Sequence, residues 1–179
     1  MIRDAIILRS RGRGLMCAMT AGRGLSCAVI DHSPGCGAQS ALAGGGKGNV
    51  TNRYISPEWY VGTQKGFPDT LLKRCSTDFV LRMLASFGIE WEEREYGQIF
   101  CTVQAARLVE SMAAACRNAG AELLFNRTFG EIRHEDGLFS VERPEAPYRP
   151  RALSSQQGAP HGPLAGQRMG DALGPPMGP

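Results

Sequence analysis

The chain has 179 residues, of which 42% are apolar, and this is enough for the core of one domain with or without a tail. Its formal net charge of +3 is too small to indicate a nucleic-acid partner or an anionic membrane surface. No apolar run approaches the ~20 residues of a spanning helix. We therefore expect no nucleic-acid partner and no membrane partner.

The cysteines and histidines give no metal pattern. Six cysteines and three histidines are scattered along the chain without a C-x-x-C pair, so a zinc site is not indicated. Cysteines spaced in this way are typical of reduced core residues in a cytoplasmic protein. Arg9, Arg11 and Arg13 interrupt the apolar start, which argues against a signal peptide. We expect a cytoplasmic protein without a bound metal.

The first thirty residues predict a βαβ unit. Asp4–Leu8 is typical of a buried strand, residues 14–21 of a compact helix, and residues 25–30 of a second buried strand that ends at Asp31. This order is the one found in dinucleotide-binding folds. There the helix N-terminus faces a pyrophosphate, and the acid after the second strand binds ribose hydroxyls.

The glycine motif of such folds is only partly present. The pattern G-x-G-x-x-G requires glycine at positions 9, 11 and 14, and the chain has Arg9, Arg11 and Gly14 there. Gly12 lies one position out of register. An arginine attracts phosphate, but its stem fills the space that the phosphate should occupy. An alternative for this segment is an ordinary basic loop.

A glycine-rich loop follows the second strand. Bare backbone of this kind can lie against a flat or anionic group, and the polar side chains beside it can form hydrogen bonds. The alternative is a flexible surface linker. The candidate binding residues in this loop are Gly44, Gly45, Gly46, Lys47, Asn49, Thr51 and Asn52.

The middle of the chain predicts an irregular segment and then a helix. Residues 53–69 are typical of an irregular excursion whose aromatic side chains pack within the loop. Ser76 or Thr77 begins a helix that runs to Phe87 and stops at Gly88. The helical spacing of its apolar residues predicts a buried face. That face comprises Phe79, Val80, Met83, Leu84 and Phe87.

The next segments predict strands around a second helix. Residues 89–91 and 98–100 are two short strands around a charged turn at 92–95, and residues 104–119 form a helix that ends at Gly120. Its apolar stripe is Leu108, Val109, Met112 and Cys116. Residues 121–125 are another buried strand. Asp136-Gly137 predicts a hairpin between residues 131–134 and 138–142.

From residue 143 the composition changes, because most of the prolines and regularly spaced glycines lie there. Such a segment cannot bury enough apolar surface to offset its chain entropy. We therefore expect an α/β domain over residues 1–142 and a disordered tail over residues 143–179.

Taken together, these segments resemble the BaiN-like NAD(P)/FAD-dependent oxidoreductases of bacteria, which include aminoacetone-oxidase-like flavoproteins. The most specific portion is Ala43–Asn52, which is similar to that family's S-G-G-G-R-C-N-x-T-N. Other similar segments are Asp4–Ile7, Gly14–Ala18, Asp31-His32, Gly97–Cys101 and Ala119–Glu122. The similarity runs from Met1 to about Glu142.

The resemblance implies a Rossmann-like FAD-binding domain with a parallel sheet, here incomplete, plus the hairpin and the tail. It implies that Gly12 and Gly14 face the pyrophosphate and that Asp31 and His32 lie at the ribose. The loop of residues 44–52 would follow the pyrophosphate and the isoalloxazine, and Phe129 would offer its backbone to the adenine. The flavin takes hydride from a nicotinamide in this family, so NAD(P)H is the expected electron donor.

The departures leave several functions open. Lys47 and Gly48 replace the family's arginine and cysteine, residues 154–159 replace its A-T-G-G strand and turn, and the chain ends at less than half its length. The first hypothesis is the N-terminal FAD-binding portion of a flavin-dependent oxidoreductase whose small-molecule substrate is unknown. The second is a degenerate, non-catalytic remnant with weak or no nucleotide binding. The third is a basic module that uses Arg9 to Arg23 on nucleic acid. No catalytic residue is assigned.

Overall fold

A computed structural model describes residues 2–36, 46, 48–61, 66–135, 137–142 and 147–155. The described residues form nine strands and four α-helices. The strands are β1 (Ile2–Leu8), β2 (Cys27–Ile30), β3 (Asn49–Asn52), β4 (Trp91–Glu93), β5 (Gln98–Cys101), β6 (Glu122–Leu124), β7 (Ile132–Glu135), β8 (Leu138–Val141) and β9 (Arg149–Ser155). The helices are α1 (Gly12–Ala21), α2 (Phe67–Arg74), α3 (Thr77–Ser86) and α4 (Ala105–Asn118).

The main sheet has the strand order β6-β2-β1-β9, and every neighbouring pair is parallel. The predicted Rossmann-like α/β fold is therefore confirmed. β1 leads through α1 into β2, and all four residues of β2 are buried, as expected when both faces of a parallel sheet are covered. The remaining strands form two antiparallel sheets, β3-β5-β4 and β7-β8.

β1 separates two hydrophobic clusters, because successive side chains of a strand point to opposite faces. On one face Ile7 packs in a cluster with residues of α1 and α4. On the other face Ile6 and Leu8 pack with Val141 and Tyr148, near the hairpin of β7 and β8. This arrangement leaves the carboxyl ends of β1 and β2 as the edge from which the loops emerge.

The predicted helices and hairpin are confirmed in their main features. Leu108, Val109, Met112 and Cys116 of α4 are all buried, and Gly120 ends that helix with φ of +91°. β7 and β8 pair antiparallel around Gly137, whose φ is +73°. Asp136 of that turn lies outside the described residues.

Burial keeps the core cysteines as neutral thiols. Cys27, Cys101 and Cys116 are buried, as the sequence predicts. Burial raises the pKa of the Cys27 thiol to about 11 and that of Cys116 to about 12. The Cys116 thiol donates to the carbonyl of Leu15 at 3.3 Å, which ties α4 to α1.

The N-terminus of α3 is confirmed, but one member of its buried face is wrong. Ser76 caps the helix, since its Oγ accepts from the N–H of Phe79 at 3.2 Å. The core contacts α3 through Leu81, Met83 and Leu84, one turn further along. Phe79 is 37% exposed because it precedes this contact. Helical spacing identifies a face but does not show where the neighbouring element ends.

The strand predicted at 89–91 begins two residues later, as β4. Ile89 is buried, but its N–H donates to the carbonyl of Leu84 at 3.0 Å, so this residue closes α3. Glu92 and Glu93, predicted in a turn, pair with β5 instead. β4 is an edge strand with three exposed side chains, and charged residues are tolerated at such an edge.

The predicted domain boundary at Glu142 is too early, because β9 belongs to the main sheet. β9 pairs with β1 from Ile2↔Arg149 to Leu8↔Ser155. β9 is an edge strand, where Pro150 is tolerated because one side needs no donor. The predicted tail beyond residue 155 lies outside the described residues.

The segment 53–69 contains more regular structure than the sequence predicts. It holds a 3-10 turn, Pro57–Trp59, and the first residues of α2. Gly66 has φ of +80° before α2, and Pro68 lies in its first turn, where no N–H is required. Tyr54 and Trp59 are 63% and 75% exposed, so the expectation that the aromatic residues pack within this loop was wrong for these two.

Gly97, between β4 and β5, gives a test of the contact that the Tyr54 ring makes with it. Gly97 has φ of +71°, and an added Cβ would lie 2.6 Å from Cδ2 of Tyr54. We expect Gly97→Ala to lower the free energy of unfolding by ~2–3 kcal/mol, because a steric contact adds to the strain of left-handed backbone. Urea denaturation of the variant beside the wild type measures this loss.

Gly88 provides the matched control. Its φ is +65°, but an added Cβ would meet nothing within 4 Å. Gly88→Ala should therefore cost only the backbone strain, about 1 kcal/mol. Equal losses in the two variants would show that the contact with Tyr54 contributes nothing.

Candidate nucleotide site at the carboxyl edge of the sheet

Asp31 lies at the carboxyl end of β2 and holds the loop that follows β1. Its Oδ2 accepts from both the N–H and the Oγ–H of Ser10, each at 2.6 Å. Its Oδ1 accepts from the N–H of Ser33 at 3.0 Å. The side chain of Asp31 is only 7% exposed. The predicted ribose acid therefore has its two oxygens committed to neighbouring loops.

These hydrogen bonds determine the ionisation of Asp31. Burial by itself raises the pKa of the carboxyl group, but the hydrogen bonds from Ser10 and Ser33 together outweigh burial and lower the pKa below its ordinary value. Asp31 is accordingly a carboxylate at neutral pH. Its negative charge is balanced by fixed donors rather than by solvent.

Arg9 adopts a backbone conformation that favours glycine, the residue that the fingerprint has at this position. Its φ is +79°, in the left-handed region that side chains other than glycine rarely adopt. The N–H of Arg9 donates to the carbonyl of Ile30 at 2.7 Å, which fixes this turn beside β2. The tight turn of the fingerprint is thus formed without its glycine, at a cost of ~1–2 kcal/mol in strain.

The side chain of Arg9 reaches across to His32. Its Nη1 lies 3.2 Å from Nδ1 of His32. Nδ1 of His32 in turn lies 3.3 Å from Oδ1 of Asp31. The His32 side chain is 51% exposed. The structure therefore brings Arg9, Asp31 and His32 together at the edge that the sequence predicts for the ribose.

The N-terminus of α1 lies at the same edge. Arg11 is its N-cap residue, no side chain caps the helix, and its first turn has no acidic residue. Among the described residues, no main-chain acceptor takes the N–H groups of Gly12, Arg13 or Gly14. Gly14 is buried, whereas an added Cβ on Gly12 would meet nothing within 4 Å. A helix end of this kind favours an anion.

The glycine-rich loop is described only in part. Gly44, Gly45 and Lys47 lie outside the described residues. Gly46 has φ of +84°, which favours glycine, and an added Cβ on Gly48 would lie 3.6 Å from Cβ of Ala105, at the start of α4.

The polar residues of β3 differ in their surroundings. Asn49 is exposed and Thr51 is half-buried. The Asn52 side chain is used in a turn, because it donates to the carbonyl of Tyr96 and accepts from the N–H of Tyr54, each at 2.8 Å. Asn49 and Thr51 remain candidates for a bound group, and Asn52 shapes the end of the antiparallel sheet.

Phe129 lies after β6, where the chain passes the carboxyl edge. Its ring packs against the cluster around Ile6. In the part of the chain that the structure describes, no main-chain acceptor takes its N–H. Just before it, the N–H groups of Asn126 and Arg127 donate to the carbonyls of Ser33 and Asp31, each at 3.0 Å. This segment is thereby held beside the Asp31 loop.

Sequence reasoning missed Ser10 and Ser33, the residues that determine what Asp31 does. Serine in a loop gives no periodic signal, and a serine beside an acid is common. The only available signal was the position of Ser10 between two arginines, directly after the buried first strand. That position did not reveal which side chain it would contact.

The described residues set two further limits on the site. Within them, no group of three or more histidine, cysteine, aspartate or glutamate side chains is arranged to hold a metal ion. Likewise, no helix in the described ranges is long and apolar enough to cross a membrane.

The parallel sheet, the βαβ unit and the acid after β2 define a dinucleotide-binding type of domain. The family model described as the HI0933-like protein Rossmann domain matches residues 3–154. The chain belongs to this family, and the resemblance to BaiN-like and aminoacetone-oxidase-like flavoproteins is confirmed.

Two curated relatives carry the name ribosomal RNA dihydrouridine synthase. The protein from Haemophilus influenzae is 30% identical over 130 residues, and the protein from Escherichia coli K12 is 31% identical over 140 residues. The matches cover 72% and 78% of this chain but only 32% and 35% of the relatives. The chain thus spans about a third of the length of these proteins.

A solved structure shows the same fold at lower identity. Glycine oxidase from Geobacillus kaustophilus superposes with a TM-score of 0.54 and 13% identity, over 88% of this chain and 56% of that one. At this identity the similarity concerns the fold alone.

Proposed function

We propose that this chain is the N-terminal FAD-binding portion of a flavin-dependent oxidoreductase. The observation that carries the proposal is the uncapped N-terminus of α1 at the carboxyl edge of a parallel sheet, in a chain of a flavoprotein family. A bound flavin would supply hydride transfer, with NAD(P)H as the proposed electron donor. The residues of this chain bind and orient the cofactor.

The pyrophosphate and adenine positions fit this cofactor. The free N–H groups at the start of α1 suit a pyrophosphate, and the main-chain N–H of Phe129 is available to an adenine ring. The ribose position fits less well, because Asp31 is already bound by Ser10 and Ser33. Arg9 also places a side chain where the fingerprint has none.

A binding measurement tests the flavin proposal. The purified full chain should take up FAD, seen as flavin absorbance or as quenching of added FAD fluorescence. Replacing Arg9 and Arg11 together by glycine should tighten FAD binding about tenfold, as expected for one regained contact between backbone and phosphate. The control replaces Arg23 and Arg82 by alanine, which removes the same charge from exposed positions elsewhere.

The outcomes distinguish a site that binds FAD from a degenerate site that has lost it. Uptake of FAD by the wild type supports a cofactor-binding domain. Uptake only after glycine is restored supports a degenerate remnant that has lost its cofactor. If neither form takes up FAD, the flavin proposal is overturned.

A second candidate function concerns the substrate. The names of the two curated relatives favour reduction of uridine to dihydrouridine in ribosomal RNA, in place of a small-molecule substrate. The low net charge of this chain gives no support for RNA contacts within it. We infer that such contacts belong to the length that the relatives have beyond the matched region. Salt-dependent binding of a ribosomal RNA fragment to this chain would contradict that division.

A further inference from the structure

Exposed apolar side chains are concentrated in one part of the chain. Eight large apolar side chains among the described residues are at least 40% exposed, and six of them lie between residues 54 and 71. These six form what we call the apolar patch: Tyr54, Trp59, Tyr60, Val61, Phe67 and Leu71. A seventh, Tyr96, lies beside the patch, because its carbonyl accepts from Asn52 and the following Gly97 lies against the Tyr54 ring. The eighth, Leu25, precedes β2 in the main sheet.

The apolar patch is large for the surface of a soluble monomer. The fractional exposures of its six side chains correspond to an accessible surface on the order of 700 Å². The largest apolar patch of a typical monomer measures about 300–600 Å². Each partner in a stable interface of standard size contributes about 800 Å². The patch is therefore large enough to form the apolar centre of a stable interface between two proteins.

α2 needs a packing partner that the described part of the chain does not provide. None of the eight residues of this helix, all of them described, is buried. Its main neighbour is the 3-10 turn Pro57–Trp59, which has no buried residue either. Helices shorter than about 12 residues are marginal in water unless an apolar face packs against another element. Phe67 and Leu71 are four positions apart and form such a face on α2, next to Trp59 of the turn.

The charges around the patch allow an identical patch to approach it. A contact with two-fold symmetry brings the same surface of both copies together, so an excess of one charge sign would oppose it. Arg53, next to Tyr54, is paired with Glu93 at 3.2 Å, and Arg94 is paired with Glu92. α2 has an acidic residue in its first turn and two basic residues in its last turn. Two copies of α2 that pack antiparallel therefore bring helix ends of opposite charge together.

We propose that the apolar patch is the interface of a homodimer with two-fold symmetry, in which α2 packs antiparallel to α2 of a second copy. A head-to-tail contact would need a second apolar surface. Outside residues 54–96, the described residues expose one large apolar side chain, Leu25, so the patch meets its own copy. The interface uses none of the residues assigned to the cofactor. The dimer is therefore independent of the flavin proposal and goes beyond it.

Sedimentation velocity of the full chain over a range of concentrations tests the dimer. We expect an equilibrium between monomer and dimer with a Kd on the order of 10 μM, which lies within the range for interfaces of this size. Hydrogen exchange at low and high concentration then locates the contact. Amides of the 3-10 turn and of α2 should become protected as the dimer forms, because packing stabilises a short helix that is marginal alone.

Variants of the patch test its role in the interface. Phe67→Glu should weaken dimerisation at least about 100-fold, because it places a carboxylate from each copy in an apolar contact, whereas an acid in the first turn suits α2 itself. Trp59→Ala should weaken dimerisation about 30-fold, as for a central aromatic residue of an interface. Leu25→Glu makes the same change at an exposed apolar position outside the patch and should leave the Kd unchanged. Thermal melts show that each variant is folded.

Three results would overturn the proposed dimer. The first is a full chain that stays monomeric up to about 500 μM. The patch would then be the contact for a different polypeptide, such as the length that the curated relatives have beyond the matched region. The second is assembly that grows beyond two copies, since a closed two-fold contact stops at a dimer. The third is a dimer that both Phe67→Glu and Trp59→Ala leave intact, which places the contact elsewhere.

Discussion

A chain that ends after Tyr148 should lose its cooperative unfolding transition, because β9 completes the main sheet. β9 is hydrogen-bonded in parallel along the whole of β1. Within it Pro150 is fully buried, and Leu153 packs against the cluster of Ile6 and Leu8. Removal of this strand uncovers central β1 on one edge and opens that cluster. Full burial of two large apolar side chains is worth roughly 3–6 kcal/mol, which is the upper limit here because Leu153 is only partly buried, and a typical domain is stable by about 5–15 kcal/mol.

Thermal and urea unfolding, followed by far-UV and near-UV circular dichroism, measure this effect. The full chain should unfold in one transition, and the chain that ends after Tyr148 should lack near-UV signal. The control ends after Ser155, which retains every described strand, and it should unfold like the full chain. An unchanged midpoint in the shorter chain would mean that β9 contributes nothing to the sheet.

The reason that β9 was not predicted lies in its position. Arg149, Pro150 and Arg151 do not have the apolar pattern of a buried strand. An edge strand needs hydrogen bonds on one side only, and charged or proline residues there protect the free edge. Composition therefore indicated a tail where the topology supplies a strand. β1 and β2, which are buried on both faces, were predictable because burial leaves an apolar run in the sequence.

The candidate site was predictable in position but not in its contacts. Element order placed Asp31 and the start of α1 at one edge, and the structure confirms that placement. The backbone at Arg9 is left-handed, a conformation that favours glycine, although the glycine of the fingerprint is absent. What the pattern could not show is that Ser10 and Ser33 compete with a ligand for the Asp31 carboxylate. The outcome depends on angstrom-scale loop geometry, which brings Ser10 and Ser33 within hydrogen-bond distance before any ligand arrives.

Replacement of Asp31 by alanine should lower the free energy of unfolding by ~3–5 kcal/mol at neutral pH. The reason is that the N–H and Oγ of Ser10 and the N–H of Ser33 lose their acceptor, and buried donors without an acceptor are costly. The turn that holds Arg9 should loosen as well. Amide hydrogen exchange at residues 9–11 and urea denaturation measure the two effects.

The lowered pKa of Asp31 predicts how its contribution to the free energy of unfolding changes with pH. The pKa of Asp31 in the folded chain lies below its ordinary value of 3.8. The stability that the carboxylate contributes is therefore present above about pH 4 and is lost as the pH falls through the lower, folded pKa. The difference in unfolding free energy between the wild type and Asp31→Asn should accordingly be largest near neutral pH and shrink toward pH 2.

Asp4 supplies a matched control on the same strand pair. Its Oδ2 accepts from the N–H of Ser26 at 3.0 Å and from its Oγ–H at 2.7 Å, as Asp31 accepts from Ser10. The pKa of Asp4 is also lowered, mainly by the hydrogen bond from the Ser26 side chain and secondly by the one from the Ser26 N–H. Unlike Asp31 and Ser10, however, Asp4 and Ser26 are exposed to solvent. Water can replace its partners, so Asp4→Asn should cost much less than Asp31→Asn. Equal losses in the two variants would show that burial adds nothing at Asp31, and the account of that residue as the anchor of the nucleotide loop would fail.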